Sequence, residues 1–229
     1  MATRADVIAE LADLIDTVTV EHPTRVAIDG LDAAGKTTLA DELAPLVEWR
    51  GREAIRVSLD DFHRPRADRY RQGRESPQGY HEDSFDHAGL RAHVLLPLGP
   101  AGDLTYRPRA FDLHRDGRES SDPRSAAHDA VVLVDGVFLQ RPELQGCWDL
   151  TVWVDIPLSE SIRRGVARDR QYHSSEREIR RLYERRYAPG QQLYLRAVDP
   201  SARADAVFDN ADPASPKLVA RGHTSGTKL

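Results

Sequence analysis

The chain has 229 residues and a mass of 25.6 kDa, which suits one domain or one domain with a sizeable insertion. Hydrophobic residues make up 40% and charged residues 30%, as in an ordinary globular protein with a real core. The net charge of −5 argues against nucleic-acid binding, and no apolar run approaches the roughly 20 residues of a membrane helix. The single cysteine, Cys147, excludes an internal disulfide and a cysteine-based zinc site. With no signal-peptide pattern either, we expect a cytoplasmic protein.

Hydrophobic periodicity predicts the elements of an α/β fold in chain order. Residues 4–18 carry apolar side chains at the spacing of an amphipathic helix, and residues 35–50 are a second helix. Short, apolar and β-branched segments predict strands at 25–29, 54–59, 131–134 and 150–155, with a fifth at 204–208. Because helical patterns separate several of these strands, we expect a three-layer fold, a mostly parallel sheet with helices on both faces.

Two segments do not follow this succession of short strands and helices. Residues 61–128 are polar and too long for a simple crossover, so we expect an insertion that lies over the edge of the sheet. Residues 159–186 are a charged helical pair that carries nine arginines. Residues 1–210 are then expected to form one domain, followed by a flexible tail at 211–229.

A phosphate-binding motif lies between the first predicted strand and the second helix. Residues 30–38 match the pattern G-x-x-x-x-G-K-[ST] in the strand–turn–helix context that the pattern requires. Its glycines let the backbone wrap closely around phosphate, its lysine reaches the β- and γ-phosphates, and its Ser/Thr hydroxyl contacts Mg²⁺. A glycine-rich turn without this role is the alternative, but chance produces the motif in roughly one chain in a thousand. The residues predicted to bind nucleotide are Gly30, Asp32, Ala33, Ala34, Gly35, Lys36, Thr37 and Thr38.

Acidic residues follow two of the predicted strands. Ligands of open α/β sheets gather at the carboxyl ends of the strands, where Asp60 could accept the proton of an attacking hydroxyl and help hold Mg²⁺. Asp61 could cap the following helix, and the reverse assignment of this pair stays open. Asp135 is predicted as a second carboxylate of the magnesium site, although Asp-Gly is also a strong turn pair. Thr37, Asp60 and Asp135 are therefore the predicted magnesium ligands.

Together these segments resemble the uridine kinase group of P-loop kinases, which has phosphoribulokinase and bacterial pantothenate kinase as more distant members. The resemblance spans about residues 22–210 and rests on four segments: residues 30–38, Leu59-Asp-Asp-Phe-His63, Val134-Asp-Gly-Val-Phe138 and the arginine-rich helix. It implies a mononucleotide-kinase fold, ATP or GTP as donor with Mg²⁺, and a primary alcohol as acceptor. It also implies that Asp60 is the catalytic base, and it places Asp135 where uridine kinases usually carry Glu.

The resemblance further implies an arginine-bearing lid over the transferred phosphate. Arg164 and Arg168 match it, with Arg170 as a third candidate, and residues four apart on a helix project from the same face. Lys36, Asp60, Arg164 and Arg168 are thus the predicted catalytic residues. The other interpretation of the arginines is a solvated helix face whose charges pair with nearby acidic residues.

The acceptor site is predicted from weaker signals. Tyr106 and the polar segment around it, which includes Arg109, match the hairpin that covers the acceptor in the family. Tyr80 stands where the family has a substrate-binding Asp, and together with His81 it is predicted to contact the acceptor. Asp60 completes the predicted acceptor-binding residues.

These observations predict a small-molecule kinase that transfers the γ-phosphoryl group of ATP or GTP, with a uridine- or cytidine-like nucleoside as the leading acceptor. A pantothenate- or phosphosugar-like acceptor is the alternative, and a non-kinase P-loop NTPase is the weaker one. A GTPase switch would carry Asn-Lys-x-Asp, which the sequence lacks, and a nucleic-acid-dependent NTPase would need a basic groove. The expected partners are a nucleoside triphosphate and a small molecule, without nucleic acid or membrane, and a homo-oligomer stays open.

Overall fold

The computed structural model describes residues 2–119, 121–171 and 175–221. In chain order the strands are β1 (Thr24–Gly30), β2 (Ala54–Ser58), β3 (Thr105–Tyr106), β4 (Phe111–Asp112), β5 (Gly117–Arg118), β6 (Arg124–Ser125), β7 (Val131–Gly136), β8 (Leu150–Asp155), β9 (Ala206–Asp209) and β10 (Lys217–Ala220). The α-helices are α1 (Arg4–Asp16), α2 (Lys36–Trp49), α3 (Arg66–Arg69), α4 (Pro77–Asp83), α5 (His87–Leu90), α6 (Leu158–Asp169), α7 (Glu176–Leu182), α8 (Ala188–Val198) and α9 (Pro200–Arg203). Short 3₁₀ turns cover Leu59–Phe62 and Pro142–Leu144, and π-helical turns cover Arg91–Leu95 and Tyr183–Tyr187.

Six strands form the central sheet in the order β10-β9-β8-β1-β7-β2. All neighbouring strands are parallel except β9 and β10, which confirms the expected mostly parallel sheet. Every residue of β1 is buried, as expected for a strand that helices cover on both faces. The three-layer α/β prediction is therefore correct. No helix among residues 2–119, 121–171 and 175–221 is long and apolar enough to cross a membrane.

Particular residues determine where α1, α2 and the turn after β2 begin. The Thr3 hydroxyl accepts a hydrogen bond from Asp6 N, and the Asp6 carboxylate accepts one from Thr3 N, a capping box that starts α1. Helix α2 starts at Lys36 because Gly35 has a φ of +95°, which lies outside the helical region. Strand β2 ends at Ser58, whose side chain accepts from Asp60 N and begins a 3₁₀ turn.

The long segment between β2 and β7 runs from one end of the sheet to the other. It holds α3 to α5 and two small antiparallel ribbons, β3 with β6 and β4 with β5. Its π-helical turn reaches the start of β1, where Arg25 Nη1 donates to Leu95 O at 3.3 Å. The same segment therefore supplies both core side chains and the walls of the cavities described below.

The C-terminal segment differs from the flexible tail that the sequence suggested. Lys217–Ala220 forms β10, which pairs with β9, and Arg4 Nη1 donates to Pro213 O at 3.1 Å. The strand escapes a search for apolar runs because most of its side chains are exposed. Residues 222–229 of the predicted tail lie outside the described residues.

The burial of His87 couples the stability of the fold to pH. His87 is 7% exposed, and its Nε2 has no hydrogen-bond partner among the described residues. Burial, and secondarily Arg141, lowers the pKa of His87 from 6.5 to about 4. Between pH 6.5 and 4, His87 is protonated in the unfolded chain but neutral in the folded chain. The contribution of His87 to the free energy of unfolding is therefore fully present above pH 6.5 and is lost progressively as the pH falls to 4.

We expect His87→Gln to lessen this acid sensitivity. Between pH 7.5 and 5 the variant should lose about 2 kcal/mol less unfolding free energy than the wild type, because one buried protonation site is gone. Urea unfolding at the two pH values measures the difference. His128→Gln, at an exposed position, is the matched control and should behave like wild type. Equal acid losses in wild type and His87→Gln would contradict this role of His87.

Candidate active site

The phosphate loop is a left-handed turn held by a residue far away in sequence. Ala33 and Gly35 have φ values of +56° and +95°. A Cβ at Gly35 would lie 2.6 Å from Asn210 Nδ2, which donates to Ala34 O at 2.6 Å. Glycine is thus required at position 35 both for the left-handed backbone and for the close approach of Asn210. The loop directs the N-terminus of α2, with its free N–H groups, toward the carboxyl edge of the sheet.

Lys36 is a buried cation among carboxylates. Its Nζ donates to Leu31 O at 2.7 Å, and the residue is 9% exposed. Burial lowers the pKa of Lys36, and nearby carboxylates oppose that shift. In order of decreasing effect these carboxylates belong to Asp32, Asp29, Asp135 and Asp60. A compact ammonium group in this position is suited to bind phosphate oxygens. These oxygens, like the nearby carboxylates, would then interact with Lys36.

Three oxygen-bearing side chains lie where β1, β2 and β7 end. Thr37 Oγ1 donates to Asp135 Oδ2 at 2.6 Å, and the other oxygen of Asp135 accepts from Arg56 Nη1 at 3.1 Å. Asp60 follows β2, and its side chain is 77% exposed. The described residues contain no cluster of three or more His, Cys, Asp or Glu that could hold a metal alone. A hydroxyl and two carboxylates nevertheless fit Mg²⁺, which keeps several waters and shares its ligands with nucleotide phosphates.

Three cavities meet around these groups. The central cleft, of about 240 Å³, includes Lys36, Thr37, Asp60 and Asp135 in its walls. The loop cavity, of about 440 Å³, lies beside it and shares Lys36 and Thr37. The outer cavity, of about 840 Å³, lies among residues of the long segment. His63 and Phe85 line both the central cleft and the outer cavity, so these two spaces adjoin.

Arg168 lines both the central cleft and the loop cavity. Its Nε donates to Asp169 Oδ1 at 2.7 Å, and its Nη2 donates to Tyr183 OH at 3.3 Å. Tyr183 packs with Val166 and Ile179 in a small hydrophobic cluster separate from the main core. Helices α6 and α7 therefore hold Arg168 near the phosphate loop through a small hydrophobic cluster that is separate from the main core.

Arg164 lines the loop cavity, but its guanidinium is already held by protein groups. Its Nε donates to Glu160 at 2.6 Å, and its Nη2 donates to the carbonyl oxygens of Asn210 and Ala211 at 3.0 and 2.9 Å. Arg170 instead pairs with Glu176 at 2.7 Å and lines none of the three cavities. Of the three lid candidates, Arg168 is the one that lines the central cleft, and its side chain is 55% exposed.

Tyr80 has a second role that the sequence did not suggest. Its hydroxyl donates to the Asp32 carboxylate at 2.9 Å, and Gln191 Nε2 donates to the same carboxylate at 3.0 Å. Gln191 Oε1 in turn accepts from Asp32 N at 2.7 Å. Burial raises the pKa of Asp32, and these donors stabilise its half-buried carboxylate. Tyr80 lines the central cleft and also fixes the phosphate loop.

The other predicted acceptor contacts divide between the cavities and the core. Arg109 lines the outer cavity and pairs with Asp61 at 2.8 Å. His81 lines none of the three cavities, and its ring lies 5.2 Å from the ring of Phe138. Burial, and secondarily a nearby arginine, lowers the pKa of His81. His81 therefore belongs to a packed wall behind the site.

Tyr106 itself lines none of the three cavities, although Arg107 and Arg109 of the same segment line the outer cavity. It is buried in β3, near Glu53 at the start of β2, whereas the phosphate loop follows the end of β1. The ribbon that lines the central cleft is β4 with β5, through Leu113 in its turn. Both ribbons have two-residue strands, so hydrophobic alternation could not tell which one covers the site.

Further residues of the site carried little or no sequence signal. His63 Nδ1 lies 2.9 Å from Asp60 O, and burial lowers the pKa of His63 while Asp60 opposes the shift. His63 follows Asp60 by three residues in the sequence, and this short distance could have marked His63 as a residue of the site. Gln191 and Leu113 lie in segments without any motif, and only the fold brings them to the loop and the cleft.

Comparison with known proteins agrees with this geometry, although no family model matches the chain. Uridine-cytidine kinase B of Dictyostelium discoideum is 29% identical over 153 residues, which are 65% of this chain and 59% of that protein. A thymidylate kinase of Xanthomonas campestris pv. campestris is 27% identical over 203 residues, covering 81% of this chain and 80% of that protein. The structure of a possible uridine kinase from Bacillus stearothermophilus superposes with a TM-score of 0.70 at 25% identity, covering 89% and 98% of the two chains.

The chain therefore spans less than two thirds of the first of these relatives and most of the other two. It has the three-layer α/β fold of the P-loop kinases. In sequence and in structure it is similar to the uridine kinase group, as the phosphate loop and the two Asp-bearing segments suggested.

Tyr80→Phe tests the bond to Asp32. We expect the free energy of unfolding to fall by about 1–2 kcal/mol, because the half-buried carboxylate of Asp32 loses one of its donors. Urea unfolding at pH 7.5 measures this loss. Tyr70→Phe is the matched control, since it keeps the ring that lies 4.9 Å from the Arg186 guanidinium. If Tyr80 served only a bound small molecule, Tyr80→Phe would leave the unfolding free energy unchanged.

Proposed function

We propose that this chain is a kinase that transfers the γ-phosphoryl group of ATP or GTP to a primary hydroxyl group, with a nucleoside as the leading acceptor. One observation carries the proposal: an exposed carboxylate, Asp60, shares a cleft with Lys36 and Thr37 of the phosphate loop, and that cleft adjoins a much larger cavity. Two of the relatives that the chain resembles, a uridine-cytidine kinase and a thymidylate kinase, support it.

In this proposal the phosphate loop binds the donor. Lys36 and the N–H groups of the loop hold the β- and γ-phosphates. Thr37, Asp135 and Asp60 would hold Mg²⁺, which when bound neutralises charge on the phosphates. The hydrogen bond from Thr37 to Asp135 orients both side chains toward that role.

Asp60 is the proposed general base. Its exposed side chain can accept the proton of the acceptor hydroxyl as that oxygen attacks the γ-phosphorus. The new phosphorus–oxygen bond forms while the bond to the β,γ-bridging oxygen breaks, and the nucleoside diphosphate leaves. Arg168, in the wall of the same cleft, stabilises the charge that develops on the transferred group.

The outer cavity is the proposed acceptor site. Aromatic rings of Phe62, Phe85 and Phe111 contribute to its walls, which suits a nucleobase. Four arginines also line it and favour the second candidate, an acceptor with a carboxylate or phosphate: Arg64, Arg107, Arg109 and Arg118. Five acidic residues of the same walls offset these charges, so a nucleoside stays the leading acceptor: Asp68, Glu82, Asp86, Glu119 and Glu143.

An acceptor screen tests the proposal. Nucleosides, pantothenate and phosphosugars are offered with ATP or GTP and Mg²⁺, and both the diphosphate and the phosphorylated acceptor are measured. Lys36→Ala sets the background of the assay. Phosphorylation of one acceptor by the wild type supports the kinase, whereas nucleotide hydrolysis that no acceptor converts into transfer contradicts it.

Asp60→Asn should abolish transfer and leave nucleotide binding nearly unchanged. The amide keeps the shape of the side chain but cannot accept the proton, and we expect a loss of at least about a hundredfold in kcat. Asp61→Asn is the matched control, because Asp61 is tied to Arg109. Normal turnover by Asp60→Asn together with an inactive Asp61→Asn would reverse the two assignments.

Arg168→Ala should lower kcat by at least about tenfold and change nucleotide Kd much less, since its contact is made mainly in the transition state. Arg163→Ala is the control, on the same helix, with a 2.7 Å pair to Glu160. Single-turnover rates, with thermal melts beside them, separate chemistry from folding. Unchanged chemistry in Arg168→Ala would leave the arginine as part of a solvated face.

A further inference from the structure

One exposed hydrophobic side chain lines the cleft that contains the proposed reaction centre. Leu113 lies in the turn between β4 and β5 and is 40% exposed. Among the described residues the other large hydrophobic side chains with comparable exposure are Trp49, Leu96 and Val219, and none of these lines one of the three cavities. Leu113 lines the central cleft, whose walls also contain Lys36 and Asp60.

The turn that carries Leu113 is built to stay in place. Asp112 Oδ1 accepts from His114 N and Arg115 N at 2.8 and 3.0 Å, which folds the turn around Leu113. The far end of the turn is tied to the helix α3, where Asp116 Oδ1 accepts from Arg66 N and from Arg69 Nη2, both at 2.9 Å.

The near end of the hairpin is tied to the segment that bears the proposed base. Ala110 N donates to Asp61 O at 3.0 Å, directly before β4. The hairpin that carries Leu113 is therefore tied to other segments at both of its ends. An apolar side chain at this polar site makes no hydrogen bond, but it can reduce the access of water to the cleft.

Water is the competitor that such a side chain would keep out. At Asp60 a water oxygen could attack the γ-phosphorus in place of the acceptor hydroxyl and give the nucleoside diphosphate and inorganic phosphate, with its proton passing to the same carboxylate. A kinase has to suppress this reaction, and an apolar wall beside the reacting atoms does so by leaving water without hydrogen-bond partners.

We propose that Leu113 excludes water from the space between Asp60 and the bound nucleotide, so that transfer to the acceptor outcompetes hydrolysis. This inference rests on the proposed kinase function and assigns one of its specificity-determining residues. The ties of Asp116 to α3 hold the side chain in position for that purpose.

The test compares hydrolysis with transfer in the full-length protein. Hydrolysis is the release of inorganic phosphate from ATP without acceptor, and transfer is the formation of phosphorylated acceptor at saturation. We expect Leu113→Ser to raise the ratio of hydrolysis to transfer roughly tenfold, a barrier difference of about 1.4 kcal/mol. Leu113→Met, which keeps an apolar side chain of similar size, should keep the wild-type ratio.

Two control variants accompany this comparison. Leu96→Ser changes a comparably exposed leucine that lines none of the three cavities, and should leave the ratio unchanged. Hydrolysis by Leu113→Ser should disappear when Lys36→Ala is added, which excludes a contaminating phosphatase. Should Leu113→Ser melt well below wild type, Asp116→Ala removes both bonds of the turn to α3 and should raise the same ratio.

The outcomes separate the two proposals. If the wild type phosphorylates an acceptor and both Leu113→Ser and Asp116→Ala keep the wild-type ratio, the role of Leu113 is overturned and the kinase proposal stands. A wild type that phosphorylates none of the acceptors overturns the proposed function, and the role of Leu113 with it. An equal rise in Leu113→Ser and Leu113→Met would show that packing, and not apolar character, controls hydrolysis, and would also contradict the inference.

Discussion

The site depends on the hydrogen bonds that hold the half-buried carboxylate of Asp32. A carboxylate away from water is costly unless donors surround it, and here the donors come from distant parts of the chain. Tyr80 from α4 and Gln191 from α8 both donate to it, and the Ser161 hydroxyl of α6 donates to the backbone carbonyl of Asp32 at 2.7 Å. The phosphate loop thus has a fixed position relative to the long segment and to the arginine-bearing helices, and all three surround the cleft.

The sheet and the phosphate loop could be predicted because their signals are local. A strand buried on both faces needs a run of apolar residues, and the loop needs glycine where the backbone is left-handed, as at Gly35. The convergence of Thr37, Asp60 and Asp135 also follows from sequence, since parallel strands bring their carboxyl ends to one edge. Topology alone places these groups together, without knowledge of any side-chain contact.

The rest of the site depends on contacts between segments that no local pattern encodes. Tyr106 and Leu113 both belong to short ribbons, and only the tertiary fold decides that Leu113 faces the cleft. Arg164 and Arg168 share one face of α6, yet the carbonyl oxygens of Asn210 and Ala211 bind Arg164, whereas Arg168 lines the central cleft. Strand β10 was missed for a related reason, since an exposed edge strand needs no apolar run.

Asn210 connects the phosphate loop with Arg4, a residue of the first helix. Its amide nitrogen supports the loop at Ala34, while its amide oxygen accepts from Arg4 Nη1 at 3.0 Å. Arg4 also bonds Glu42 on α2, the helix that the loop begins. A fragment cut to the region of recognisable motifs would keep every residue of the loop and lose the arginine that orients its support. The boundaries of a working unit are therefore wider here than the boundaries of its motifs.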